Sequence, residues 1–229
     1  YHKGLDKYHK HFISLGFTAA YVNRAINFKE LYFNNQWEDR VGFVTDIPNF
    51  ESLNTESFSY LDVGFGVQGR NVFSTKTKLT YGFTMLHINR PKETFYNQSN
   101  RIGIRYLTHL VLDYKLSDKV DLMGSGYFTY QKQALEGLFG ATVSYDFRKT
   151  GRQKASKLIG GVFYRLNDAL APILGYQFHK TRILMNFDIT LSQLTQASRG
   201  NGGMEISIVH VGLWNTKLPS QRKMNCYDF

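Results

Sequence analysis

Residues 64–69 read Gly-Phe-Gly-Val-Gln-Gly and fit G-x-G-x-x-G, the spacing with which a backbone cradles a pyrophosphate. That chemistry needs a strand ending at the glycines and a helix behind them with its N–H groups aimed at the phosphates. It also needs an acidic residue about 20 positions later for the ribose. None of the three is present. The run from Arg70 to Lys78 shows no helical apolar spacing, and Thr84 to Asn89 holds no carboxylate. Instead Leu61, Val63, Phe65 and Val67 alternate with Asp62, Gly64, Gly66 and Gln68. A period of 2 belongs to a strand, so the glycines are expected inside one, on its small or polar face.

Other reaction chemistries lack their parts as well. The chain contains no G-x-S-x-G and no H-E-x-x-H. His87 and His109 fall on neighbouring strand candidates, where they could face one another, but no nucleophile–base spacing accompanies them. The lone Cys226 excludes an internal disulfide and a multi-cysteine zinc site. Asp62, Asp113, Asp146 and Asp188 fall inside strand candidates. Such charges are costly against lipid and tolerable in a wet interior. Asp62, Asp146 and Asp188 are therefore expected inside, paired with Arg70, Arg148, Arg165 or Arg182. No catalytic, cofactor-binding or metal-binding residue is assigned, no cofactor is expected, and the chain reads as a non-enzyme.

The elements that carry these residues are strands. Ten segments alternate, at about 12–22, 58–68, 77–89, 104–116, 120–132, 135–147, 157–166, 169–180, 182–192 and 203–213. They are longer than the 5–6 residues of an ordinary globular strand and match the roughly 9–11 that cross a bilayer when tilted. The pattern predicts an all-β fold, an antiparallel transmembrane β-barrel of the bacterial outer membrane, with an apolar outer face and a small or polar lumen. A soluble lipocalin-like barrel is the structural alternative. Tyr60, Tyr106, Tyr114, Tyr130, Tyr145 and Trp214, near strand ends, are expected to form interface girdles. No apolar run is long enough for a transmembrane helix, and the polar, basic first ten residues do not read as a signal peptide.

Connections sort to two ends. One end receives 69–76, 117–119, 148–156 and 179–181, expected in the periplasm with the tail 214–229. The other receives 23–57, 89–103, 131–134, 167–168 and 195–202, expected outside. The long extracellular loop 23–57 is expected to fold, or to hold a short strand near Ile26–Phe33. The net charge of +10 sits mostly in connections such as Arg148–Lys154 and reads as solvated turns. A nucleic-acid face would add aromatics to a defined basic surface, and none is located, so no nucleic-acid partner is expected.

Several motifs resemble the PorP/SprF family, outer-membrane barrels of the Bacteroidetes type IX secretion system. They are Tyr60-Leu-Asp-Val-Gly-Phe-Gly-Val-Gln68, His87-Ile-Asn-Arg-Pro-Lys-Glu93, Tyr114-Lys-Leu-Ser-Asp-Lys119, Gly161-Val-Phe-Tyr-Arg-Leu-Asn-Asp-Ala-Leu170 and Ala197-Ser-Arg-Gly-Asn-Gly-Gly-Met-Glu-Ile-Ser207. Their order covers nearly the whole chain from Ile13 on. The family is longer, with a signal peptide and several earlier strands. The resemblance therefore implies that 1–229 is a single barrel domain, the C-terminal two-thirds of a barrel of 14 strands. The chain ends Cys226-Tyr-Asp-Phe229, where family members often end Cys-Pro-Arg-Phe.

The resemblance also implies a role in export and surface attachment of cargo such as gliding adhesins. The partners implied are outer-membrane lipid, secreted cargo or its C-terminal signal domain, and the periplasmic ring and motor proteins. Partner-binding residues are expected in the outer loops (Phe33, Trp37, Phe43, Phe50, Phe95 and Tyr96) and in the tail (Trp214 and Phe229). An outer-membrane pore for small solutes is the functional alternative, with the lumen residues as its filter.

Overall fold

The computed structural model describes residues 1–212 apart from 9, 28–29, 45, 49–55, 96–98, 148–155 and 194. The long strands are β2 (His11–Ala25), β5 (Ser57–Val72), β6 (Thr77–Leu86), β7 (Arg105–Lys115), β8 (Val120–Gln131), β9 (Ala134–Asp146), β10 (Ser156–Arg165), β11 (Ala169–Phe178), β12 (Thr181–Thr190) and β13 (Asn201–His210). These are the ten expected segments, with shifted ends. A short β1 (His2–Gly4) precedes them, and a two-residue pair, β3 (Trp37–Glu38) and β4 (Gly42–Phe43), lies in the long loop. No helix among the described residues is long and apolar enough to cross a membrane.

One eleven-stranded sheet runs β1-β2-β5-β6-β7-β8-β9-β10-β11-β12-β13, and every neighbouring pair is antiparallel. This up-and-down order is the wall of an antiparallel β-barrel. The described sheet is not closed; β1 and β13 are its edges. Gly64 and Gly66 lie within β5, with no turn or helix behind them, so the nucleotide fingerprint has no phosphate cradle. Gly69 departs from the expectation. It lies on the outer face, and a Cβ there would run into the ring of Tyr81, its register partner.

Register keeps the two faces separate across the whole wall. Phe17 pairs with Phe65, Tyr81 with Leu110, Leu122 with Val143, Gly160 with Leu174, Leu174 with Met185, and Met185 with Ile206. A slip of one residue on any strand would turn its greasy set inward. The outward side chains stay exposed: Phe17 is 71%, Leu174 55% and Ile206 61% accessible. Among the described residues only Phe12, Ile159, Ala169 and Ala171 are buried hydrophobics. A soluble barrel would invert this arrangement, with its apolar groups inside. A contiguous apolar surface of this extent far exceeds the few hundred Å² tolerated on a soluble monomer. It needs lipid as its other half.

Two features of the inner face differ from the sequence expectation. Tyr60 pairs with Val22 on the lumen side, one residue out of phase with the outward Leu61, so it is no girdle residue. The middle of the lumen wall is also partly apolar, with Ile159, Phe163, Ile173 and Leu184 lining it. Tyr106 and Tyr130 form one outward girdle by register, and Tyr114 and Tyr145 lie at the opposite end. Trp214 lies outside the described residues.

Candidate functional site

The two longest connections, 26–56 and 87–104, emerge at one end, here called the loop end, and 191–200 joins them there beside the tight turns at 132–133 and 166–168. The turn end receives 5–10, 73–76, 116–119, 147–155 and 179–180. The division matches the one read from the sequence.

The long loop folds around one buried polar side chain. Gln36, only 6% exposed, accepts from the Phe33 N–H through Oε1 at 3.1 Å and donates through Nε2 to the Ile47 carbonyl at 2.9 Å. Its backbone N–H donates to Phe33 O at 2.9 Å, and its carbonyl accepts from Val44 N–H at 2.8 Å. A 3-10 turn over Asn34–Gln36 thus leads into the β3–β4 hairpin, where Trp37 pairs with Phe43. Left-handed backbone at Arg40 (φ 75°) and Gly42 (φ 93°) closes that hairpin. Among the described residues, 26–33 holds no strand; the two-residue pair farther along takes its place.

The hairpin presents an aromatic knob. The Trp37 ring meets Phe43 edge-on at 4.9 Å, and Tyr32 lies 5.2 Å from Phe43. All three stay exposed, Trp37 at 54%, as do Val41 and Leu31. Large, rigid aromatic surface of this kind is what interface anchors are made of. Phe33 is half-buried.

Phe95 belongs to a second cluster. Its ring packs edge-on against Phe58 at 4.6 Å, and Phe58 stacks near Tyr60 at 6.2 Å. With Arg24, Glu93 and Asn100, Phe58 and Phe95 line a concavity of about 550 Å³. The Arg24 guanidinium lies 2.8 Å from Glu93 Oε1. Phe50, Tyr96, Trp214 and Phe229 lie outside the described residues. Of the eight expected partner residues, the fold therefore brings Trp37 and Phe43 together and sets Phe95 apart on the lumen side.

The motif at 87–93 docks the second loop onto β5, which outruns β6 at this end. Left-handed backbone at His87 (φ 57°) turns the chain out of β6. Ile88 N–H donates to Val63 O at 3.0 Å. The Asn89 side chain then imitates a strand: Val63 N–H donates to its Oδ1 at 3.2 Å, and its Nδ2 donates to Leu61 O at 2.5 Å. These bonds satisfy ladder groups that would otherwise be orphaned. His87 Nδ1 lies 2.9 Å from both carboxylate oxygens of Asp62. Asp62 thus pairs with His87 instead of an arginine. His109 sits across from Gly82, away from His87, so the two histidines do not meet. Among the described residues the His87 ring bonds to Asp62 alone, with no nucleophile beside it.

One expected lumen pair is present. Arg165 binds Asp188 at 2.8 Å and Asp168 at 2.9 Å, clamping β10 to β12 at the loop end. Asp146 is 4% exposed at the turn end, and Arg148, one of the arginines expected to pair with these aspartates, lies outside the described residues. Sequence reasoning missed the Gln36 pin and the Asn89 clip. Asn89 sits in a quoted motif, yet its role depends on how far β5 outruns β6, which no local pattern reports. What this end offers is a shaped surface with exposed aromatic rings.

A family model described as type IX secretion system membrane protein PorP/SprF matches residues 1–209. No curated protein and no solved structure matches the chain.

Proposed function

The chain belongs to the PorP/SprF family of type IX secretion system membrane proteins, and from that premise we propose that it stands in the bacterial outer membrane as a non-enzymatic barrel. It supports export and surface attachment of cargo such as gliding adhesins. The observation that carries this reading is the wall itself: one outward apolar face with the two longest loops at one end and shorter connections at the other. A rigid tube of that kind fixes two binding surfaces on opposite sides of a bilayer.

On this reading the loop end faces outward, and the Tyr32–Trp37–Phe43 knob meets cargo or its C-terminal signal domain. The turn end and the tail 214–229 meet the periplasmic ring and motor. In hydrocarbon the free edges of the sheet need partners. A barrel of 14 strands, the number implied by the resemblance, supplies them. The lumen lining is apolar in part, at Ile159, Phe163, Ile173 and Leu184, and so offers no continuous polar filter for a solute pore.

Deleting 34–50 in the full protein tests the loop assignment. Display of the surface adhesin is expected to be lost while the barrel still assembles with heat-modifiable mobility. Normal display in that mutant would overturn it.

A further inference from the structure

Charge is divided unevenly between the two ends of the wall. Among the described residues, Lys and Arg outnumber Asp and Glu about two to one in the turn-end half, while acids slightly outnumber bases in the loop-end half. Curvature gathers part of the excess. Arg70, Lys76, Lys78, Lys115, Lys157 and Arg182 line one concavity of about 510 Å³ on the inner side, with Asp113 and Asp121.

Some of these cations are already matched. Lys157 lies 2.6 Å from Asp121, and Lys115 lies 3.0 Å from Asp118. Lys76 and Lys78 make no ion pair among the described residues, although Asp113 is the register partner of Lys78. Arg182 rests on a neutral group, the Gln177 amide oxygen at 3.1 Å. A concave wall with an excess of one sign focuses its field inward and concentrates the opposite charge.

We propose that this trough receives an acidic segment of a polypeptide partner, whose Asp and Glu carboxylates meet Lys76, Lys78 and Arg182. Lys78 on β6 and Arg182 on β12 are six strands apart in the sheet order. At ~4.8 Å per strand that is about 29 Å along the arc. A phosphate-sized ion reaches one of them, whereas an extended chain, at about 3.3 Å per residue, reaches several. The trough opens on the concave side, away from the greasy outer face, so a bilayer headgroup is not its natural occupant. A nucleic acid would want stacking aromatics; of the lining aromatics Phe163 faces inward, and Tyr114 points to the outer face. The chain's own tail has the wrong sign, with Lys217, Arg222 and Lys223 against Asp228. The inference goes beyond the proposed function: it needs the charge and curvature of the turn end, not the loop assignment.

The test is binding of a fluorescent Glu/Asp-rich peptide to the full protein in nonionic detergent. Binding is expected to weaken as salt rises from low to physiological concentration. The variant combining Lys76→Gln, Lys78→Gln and Arg182→Gln is expected to lose about tenfold in affinity. Arg24→Gln at the loop end is expected to leave it unchanged. Affinity that is indifferent to salt would overturn the proposal without recourse to any variant. So would an unchanged triple variant that still shows folded mobility. Vesicles containing anionic lipid supply the last arm. If they bind through the same three cations while the peptide does not, the surface reads headgroups and the proposal fails.

Discussion

Replacing Leu110 by arginine would test the outer face most directly. Tyr106 and Tyr114 both point outward on β7, with Thr108, Leu110 and Leu112 between them on the same face. Eight residues at about 3.4 Å rise separate the two tyrosines by roughly 27 Å along the strand, or ~21 Å along the membrane normal at a tilt of ~40°. That is close to the ~25 Å apolar band between the girdles of such barrels. Leu110 is four positions from each tyrosine and 52% exposed, so it faces the midplane.

An arginine at the midplane costs about 2–4 kcal/mol, falling to about 0–1 near the interface. The folded population of Leu110→Arg should therefore drop by about 30- to 700-fold relative to the unfolded. The control is Ser125→Arg on β8, whose register partners Val111 and Gly140 place it on the lumen face at similar height. A long cation there reaches water, so its cost should stay within about 1 kcal/mol. The assay is urea titration of the full protein in lipid vesicles, read by the heat-modifiable band. Equal costs at the two sites, or a larger one at Ser125, would refute the assignment of the faces.

Asn89→Ala removes both side-chain bonds to β5 and should cost about 1–3 kcal/mol, visible as faster hydrogen exchange at Val63. A Cβ at Gly82 would run into the His109 ring, a side chain that can be removed, whereas one at Gly140 would meet both the Phe163 ring and the Val162 carbonyl. Each Gly→Ala change should cost about 1–3 kcal/mol, and His109→Ala should rescue the first while Phe163→Leu leaves the second mostly unrepaired in the same titration. Asp118, in the β7–β8 turn, is held below its ordinary 3.8 first by its hydrogen bond to Lys115 and then by that ammonium's charge. A depressed carboxyl favours the folded state above its unfolded value and ceases to do so as pH falls through the folded one. Lys115→Gln should thus move the Asp118 titration, followed by NMR, back up toward 3.8.

The faces of the wall are legible in the residue order alone. Leu135, Phe139, Val143 and Tyr145 declare one side of β9 because successive Cβ atoms alternate by local geometry. Strand length against bilayer thickness, and the sorting of loops and turns to opposite ends, follow from the same local count. The sequence by itself therefore determined an up-and-down membrane wall and which residues face out. Only the tertiary structure decided which inner residues meet. Asp62 finds His87 instead of an arginine because β6 ends at Leu86 and the next residue turns back over β5. Tyr60 faces in because Leu61 is the residue in phase with the outer row. Cations from β5 to β12 share one trough because the sheet curves. Register, relative strand length and curvature are properties of pairs and of the whole sheet, and no stretch of ten residues carries them.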